Sequence, residues 1–199
     1  MKQRNQMARL CLGAVIAALY TVLTLALPVL SFGPIQFRLA EGMTVLAWLC
    51  PEAIPGLTLG CFLSNLIGSP YALDWIMGTL ATLIAALWTA RVPKRWMAPI
   101  PPVLCNMVIV GAEIAWFEGG FTSAFFPSWV FNAATVGLGE LLACYILGML
   151  LIGILPRIPY FRGMIPEERL SVTAAQLVTQ FSAIKPPCAQ WSAPRRSFI

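Results

Sequence analysis

The sequence has no histidine and little charge: 13 lysines and arginines and 8 aspartates and glutamates, 11% of the chain. Without histidine, the commonest general base and metal ligand is missing, and no Gly-x-Ser-x-Gly elbow or CxxC pair stands in for it. The six cysteines form no motif: Cys11, Cys50, Cys61, Cys105 and Cys144 are scattered through apolar stretches, and Cys188 lies in the tail. Buried free thiols are the expectation, rather than a disulfide framework or a zinc or haem site. An enzyme is therefore disfavoured, and no cofactor or metal is expected. No internal repeat is present either, which argues against the paired halves of a secondary transporter.

What fills the chain is hydrocarbon. It is 59% hydrophobic with a mean hydropathy of +0.79, which places it in the membrane class. A spanning helix takes roughly 20 apolar residues. Six stretches qualify as candidates: 9–30, 37–50, 51–67, 72–90, 102–117 and 129–155. The second and third are short. They are either tilted partners buried by their neighbours or one hairpin that does not cross; two spans are favoured, with Pro51-Glu52 as a tight polar turn and Pro51 near a helix start. The fold class predicted is an all-α integral membrane bundle of six transmembrane helices.

Basic residues orient it. Lys2, Arg4 and Arg9 precede the first stretch, Arg91, Lys94 and Arg95 separate the fourth and fifth, and Arg157, Arg162 and Arg169 follow the sixth. Six crossings bring all three groups to one side, which predicts cytoplasmic termini in a multi-pass plasma-membrane protein. The first apolar run is too long for a cleaved signal peptide. The membrane domain is read as residues 1–160 and a polar cytoplasmic tail as 161–199. In the tail Leu170, Leu177, Phe181 and Ile184 share one helical face, predicting a short amphipathic helix before disordered final residues.

Glu41, Asp74, Glu113 and Glu140 interrupt the apolar stretches. An ionisable group at the bilayer centre costs at least ~2.5–3.5 kcal/mol, so such residues face a bundle interior and mark a ligand or ion path. With cytoplasmic termini, Arg38, Glu41, Asn65, Asp74, Glu113, Trp116, Asn132 and Glu140 all fall toward the outer half, and Asn106 toward the inner. Asn106 and Glu113 share a face at a spacing of seven, as do Asn132 and Glu140 at eight. These eight outer residues are the candidate substrate-binding set. Plainer readings stand beside it: Arg38 and Glu41 as a local i,i+3 ion pair, Asp74 as a helix cap, Asn65 and Asn132 as interhelical hydrogen bonds, Trp116 as an interfacial anchor. In the first stretch Gly13, Ala14, Ala17 and Ala18 make a small-residue face, which suits either close internal packing or a partner helix.

Several segments resemble the QueT family. They are Phe32-Gly33-Pro34-Ile35-Gln36-Phe37-Arg38 with Glu41, Ala53-Ile54-Pro55-Gly56 with Gly60 and Asn65, Pro101-Pro102 with Asn106, and Val136-Gly137-Leu138-Gly139-Glu140-Leu141 with Cys144-Tyr145. The resemblance covers about 8–159. It implies a substrate-binding S component of an energy-coupling factor (ECF) transporter: six helices, no ATPase of its own, working with a membrane T subunit and two cytoplasmic ATPases. The implied ligand is a queuosine precursor, a deazaguanine, with the lipid bilayer as surroundings and no nucleic-acid partner. Ala14 and Ala18 match the small-residue pattern by which S components meet the T subunit. The chemistry is compatible. A guanine edge presents an N–H and an amino group side by side, which one carboxylate accepts together. An aminomethyl arm adds a positive charge, an asparagine donates to the ring carbonyl, and Trp or Phe stacks on the ring. Glu41, Glu113 and Glu140 are the candidate carboxylates. The alternatives are an S component for another vitamin-like heterocycle and a stand-alone cation-coupled transporter.

Overall fold

A computed structural model describes residues 2–31 and 37–171, and the regular structure in them is helical. The elements are α1 (Lys2–Ala26), α2 (Pro28–Ser31), a 3₁₀ helix (Leu39–Trp48), α3 (Ala53–Gly68), α4 (Ala72–Thr89), α5 (Ile100–Gly119), α6 (Phe125–Leu142), α7 (Met149–Ile154) and α8 (Pro159–Arg162). A π-helical stretch, Ala143–Gly148, joins α6 to α7 without a break in the helical path. Among the described residues, four helical runs are long and apolar enough to cross a membrane: Gln6–Ala26, Ala72–Thr89, Arg95–Gly119 and Phe125–Arg157. These correspond to the first, fourth, fifth and sixth expected spans.

The second and third expected spans differ in kind from the others. The α-helix expected over 37–50 is the 3₁₀ helix Leu39–Trp48, whose residues from Ala40 onward are all buried. At ~2.0 Å per residue it extends ~20 Å, against ~15 Å had it been α-helical. The tighter winding thus stretches a short segment, and protein rather than lipid surrounds it. Such a long 3₁₀ run is unusual. Its packing supplies the reason. A Cβ on Gly42 would stand 2.8 Å from the Ala143 carbonyl oxygen, and one on Gly148 would stand 2.7 Å from Val45 Cγ2 and 2.9 Å from the Gly42 oxygen. The 3₁₀ backbone therefore lies directly against the π-helical turn of the last span, with two glycines permitting the approach. α3 is 16 residues, about 24 Å at α-helical rise.

Around this central element α1 packs on α3, α3 on α4, α4 on α5, and α5 on α6. The core gathers Tyr20, Trp48, Leu49, Leu57 and Ile152. The basic loops collect at one end. Arg9 pairs with Glu52 at 2.8 Å, a contact exposed on the Arg9 side and half-buried on the Glu52 side. Arg95 donates to the Met149 carbonyl at 3.3 Å. Arg169 donates to the carbonyls of Val92 and Ala90, each at 2.9 Å, and its guanidinium lies 4.8 Å over the Trp48 ring. Trp48 Nε1 donates to the same Val92 carbonyl. The first part of the stretch read as tail is thus fastened to the bundle, with Ile165 buried and Phe161, Met164 and Leu170 packed on the core. Of the expected tail helix, Leu177, Phe181 and Ile184 lie outside the described residues, as do the final residues and Phe32–Gln36 of the family segment.

Candidate functional site

The opposite end of the bundle holds the polar residues. Glu41 is reached by three hydroxyls from three elements: Tyr20 of α1 on Oε1, Thr82 of α4 on Oε1 at 3.0 Å, and Thr44 on Oε2 at 2.8 Å. The Thr44 contact follows from the 3₁₀ winding, which eclipses side chains at i and i+3. All four residues are buried. Tyr20 and Thr82 tie α1 and α4 to the central helix through one carboxylate.

By the same i,i+3 rule Arg38 would stack on Glu41, but Arg38 is the N-cap and has extended backbone (φ −89°, ψ 100°). It leaves the row and pairs with Asp74 instead, NH2 to Oδ1 at 3.7 Å, while Nε donates to the Ser31 carbonyl at 3.2 Å. Asp74 sits in the first turn of α4, whose N-cap is Tyr71 with no side-chain cap bond. Its carboxylate therefore serves Arg38 rather than the helix end. Asn65, near the end of α3, donates to the Asp74 carbonyl at 3.1 Å, as an interhelical hydrogen bond; its buried Oδ1 has no partner. Gly78 makes the room. A Cβ there would lie 2.6 Å from Asn65 Nδ2 and 3.3 Å from Asp74 Oδ1.

Glu140 lies deeper on α6, 2% exposed. The Cys144 thiol approaches its Oε2 at 3.8 Å and also donates to the Glu41 carbonyl at 3.5 Å. Asn106 lies against Glu140 from α5, but its Nδ2 makes no hydrogen bond of normal geometry. Glu113, two turns along α5, is 5% exposed, and neither carboxylate oxygen has a partner. Arg38 is within electrostatic reach of Glu41, Asp74, Glu113 and Glu140. Carboxylates outnumber that guanidinium four to one.

Trp116 and Glu113 line a groove of about 600 Å³ between α4, α5 and the start of α6. Trp116 is half exposed and meets Phe117 edge-on. Asn132 belongs to a separate group: its Nδ2 donates to Glu118 Oε2 at 2.9 Å and to Ser128 Oγ at 3.1 Å, bridging α5 and α6. The structure thus brings Arg38, Glu41, Asn65, Asp74, Glu113 and Glu140 into one cluster, with Trp116 on the adjoining groove and Asn132 apart.

The small-residue face of α1 divides in two. A Cβ on Gly56 of α3 would stand 2.4 Å from the Gly13 carbonyl oxygen, and one on Gly60 would stand 2.9 Å from that of Ala17. Gly13 and Ala17 thus serve the internal α1–α3 seam. Ala14 and Ala18 are exposed on the other side, among the exposed Leu10, Val15, Leu19 and Val22.

Sequence reasoning passed over Tyr20, Thr44 and Thr82, which bind Glu41, and Phe125 and Trp129, which wall the groove. Thr44 was findable, three residues after Glu41, had a 3₁₀ period been tried. Nothing in the pattern around them marks Tyr20 or Thr82 as partners of Glu41.

The model of a family described as QueT transporter matches residues 10–157. A protein named "Queuosine precursor transporter QueT" from Lactococcus lactis subsp. cremoris (strain MG1363) is 40% identical over 73 residues, 36% of this chain. That alignment spans 43% of the relative's length. No solved structure matches. With four long apolar helices consistent with a multi-pass protein of the plasma membrane, and with the family match running through nearly all of the helical bundle, the chain belongs to the QueT transporter family.

Proposed function

We propose that this chain is the substrate-capture (S) subunit of an ECF-type importer for a queuosine precursor. It takes a deazaguanine base from outside and delivers it through a membrane T subunit driven by two cytoplasmic ATPases. In this reading the chain crosses six times, with the 3₁₀ helix and α3 as short protein-covered crossings. The basic end faces the cytoplasm, as positive-inside bias requires, so the acidic cluster faces out. The observation that carries the reading is that cluster: buried carboxylates and amides, several with unused hydrogen-bonding atoms, beside an aromatic-walled groove. Buried polar groups cost free energy unless paired. A base rich in N–H donors with a ring carbonyl supplies the missing partners, and the relative's name points to the same ligand class.

The roles divide by how occupied each carboxylate is. Glu41 already accepts three hydroxyls, so it holds the helices together at the floor of the site. Glu140 and Glu113 retain acceptor capacity, and Asn106 retains a donor. Glu140→Gln is expected to weaken binding of a prequeuosine base by about 10- to 100-fold, the loss of a charge-assisted two-point contact, while the thermal midpoint in detergent stays close to wild type. Isothermal titration of the purified variant checks this. A well-folded variant with unchanged affinity would assign Glu140 to packing.

A further inference from the structure

The basic end of the bundle holds more positive charge than its own carboxylates answer. Arg91, Lys94, Arg95, Arg157 and Arg162 lie there, and none of them makes an ion pair among the described residues. Four of them are exposed; Arg95 is half-buried and held in place. Its NH2 donates to the Met149 carbonyl at 3.3 Å, and a Cβ on Gly153 would stand 3.2 Å from the same nitrogen. The Tyr145 hydroxyl donates to the carbonyl of the next residue, Trp96, at 3.2 Å. Tyr145, Met149, Gly153 and Arg157 recur every four residues and so form one ridge of the last span. The loop before α5 lies along that ridge, which brings the Arg95 guanidinium within electrostatic reach of Arg157. Two guanidiniums held close together repel unless an anion joins them. Arg95 NH1 has no acceptor among the described residues and, unlike Nε, is not buried. Phosphate suits such a pair, because each guanidinium presents parallel N–H groups to its oxygens.

The surroundings decide what the phosphate is attached to. Arg95 and Arg157 are the end residues of two apolar runs, Arg95–Gly119 and Phe125–Arg157, so both stand where the hydrocarbon of a membrane stops. A second ridge runs beside the first. It is made of Ile146, Leu150 and Ile154, again every four residues, and these side chains are 67%, 55% and 44% exposed. Trp96, also exposed, stands next to Arg95 in the interfacial position that tryptophan favours. We propose that Arg95 and Arg157 form a site for the phosphate of an anionic phospholipid, whose acyl chains lie along Ile146, Leu150 and Ile154. Basic pockets between membrane helices hold headgroups of this kind. The bound lipid pins the loop between α4 and α5 to the last span, at the end opposite the acidic cluster. The site is independent of the ligand carried at that cluster.

Native mass spectrometry of the delipidated full chain in detergent tests this. The probes are phosphatidylglycerol, phosphatidylcholine with the same acyl chains, and glycerol phosphate, a headgroup without chains. Phosphatidylglycerol should bind about 10- to 30-fold more tightly than phosphatidylcholine, at roughly fivefold for each arginine. Arg157→Gln should cut that preference by about fivefold; Arg157 is exposed, so its loss should leave the fold intact. Arg91→Gln removes the same charge from the start of the same loop and should leave the preference within about twofold of wild type. Glycerol phosphate should bind far more weakly than the lipid. The wild-type preference needs no variant, and equal affinity for the two lipids would overturn the proposal. A folded Arg157→Gln variant that kept the full preference would overturn it too, as would an equal loss in Arg91→Gln, the mark of diffuse attraction. Glycerol phosphate bound as tightly as the lipid would remove the apolar ridge from the site, and the lipid with it.

Discussion

Arg38→Ala should destabilise the folded bundle by about 3–5 kcal/mol, the cost of removing one partner from a buried ion pair. Arg38 is 3% exposed, its guanidinium pairs with Asp74, and it lies within electrostatic reach of Glu41, Glu113 and Glu140. Without it Asp74 loses its ion-pair partner, and Glu41, Glu113 and Glu140 lose their nearby positive charge. The double variant Arg38→Ala/Asp74→Asn should recover part of the loss, because removing both members of a buried pair is less damaging than stranding one. Thermal unfolding in detergent, with wild type and both single variants in parallel, reads the effect. A single Arg38→Ala variant as stable as wild type would mean that the cluster does not carry the negative charge assigned to it.

If the chain works as the proposed capture subunit and meets its T subunit through the outer face of α1, Ala14→Trp or Ala18→Trp should abolish uptake while leaving ligand binding to the isolated chain intact. Both alanines are exposed on α1 and have no polar side-chain atom with which to recognise a base. An indole there blocks the close helix approach that small residues allow. Gly56→Leu is the contrasting case. Its first side-chain atom would stand 2.4 Å from the Gly13 carbonyl oxygen, and backbone cannot yield that much, so folding and binding should fail together. The paired readout is ligand binding in detergent and co-purification with the T subunit. Loss of ligand binding with the T subunit still attached would refute a docking role for Ala14 and Ala18.

The long spans were legible because lipid-facing helices need uninterrupted hydrocarbon, and the sequence shows it. Residues 72–90 were expected to be helical, and α4 is Ala72–Thr89; residues 102–117 were expected, and α5 is Ile100–Gly119, with Pro101 and Pro102 in its first turn. The 3₁₀ helix was not legible. Residues 40–48 are buried on all sides, so no solvent-facing side reports the helix's period, and its winding answers to the π-helical turn about a hundred residues away. The continuity of α6 through the π-helical turn has the same character, since Gly148 matters only because Gly42 and Val45 lie against it.

The polar cluster was legible as a set of residues rather than as a geometry. The cost of charge in hydrocarbon picked out Glu41, Asp74, Glu113 and Glu140, and the structure places them at one polar end. It could not tell the carboxylate that accepts three hydroxyls, Glu41, from the one with none, Glu113. The Arg38–Glu41 spacing suggested a local pair, but extended backbone at residue 38 redirects Arg38 to Asp74. Likewise the spacing of Gly13, Ala14, Ala17 and Ala18 showed a close-packing helix without showing that two of them face inward and two outward.

The capture role is tested most directly by the ligand itself. Purified full chain in detergent would be titrated with an aminomethyl-deazaguanine, with guanine and with an unrelated vitamin. Affinity for the deazaguanine should stand well above that for guanine, with no measurable binding of the vitamin. Equal affinity for guanine, or tight binding of the unrelated vitamin alone, would contradict it.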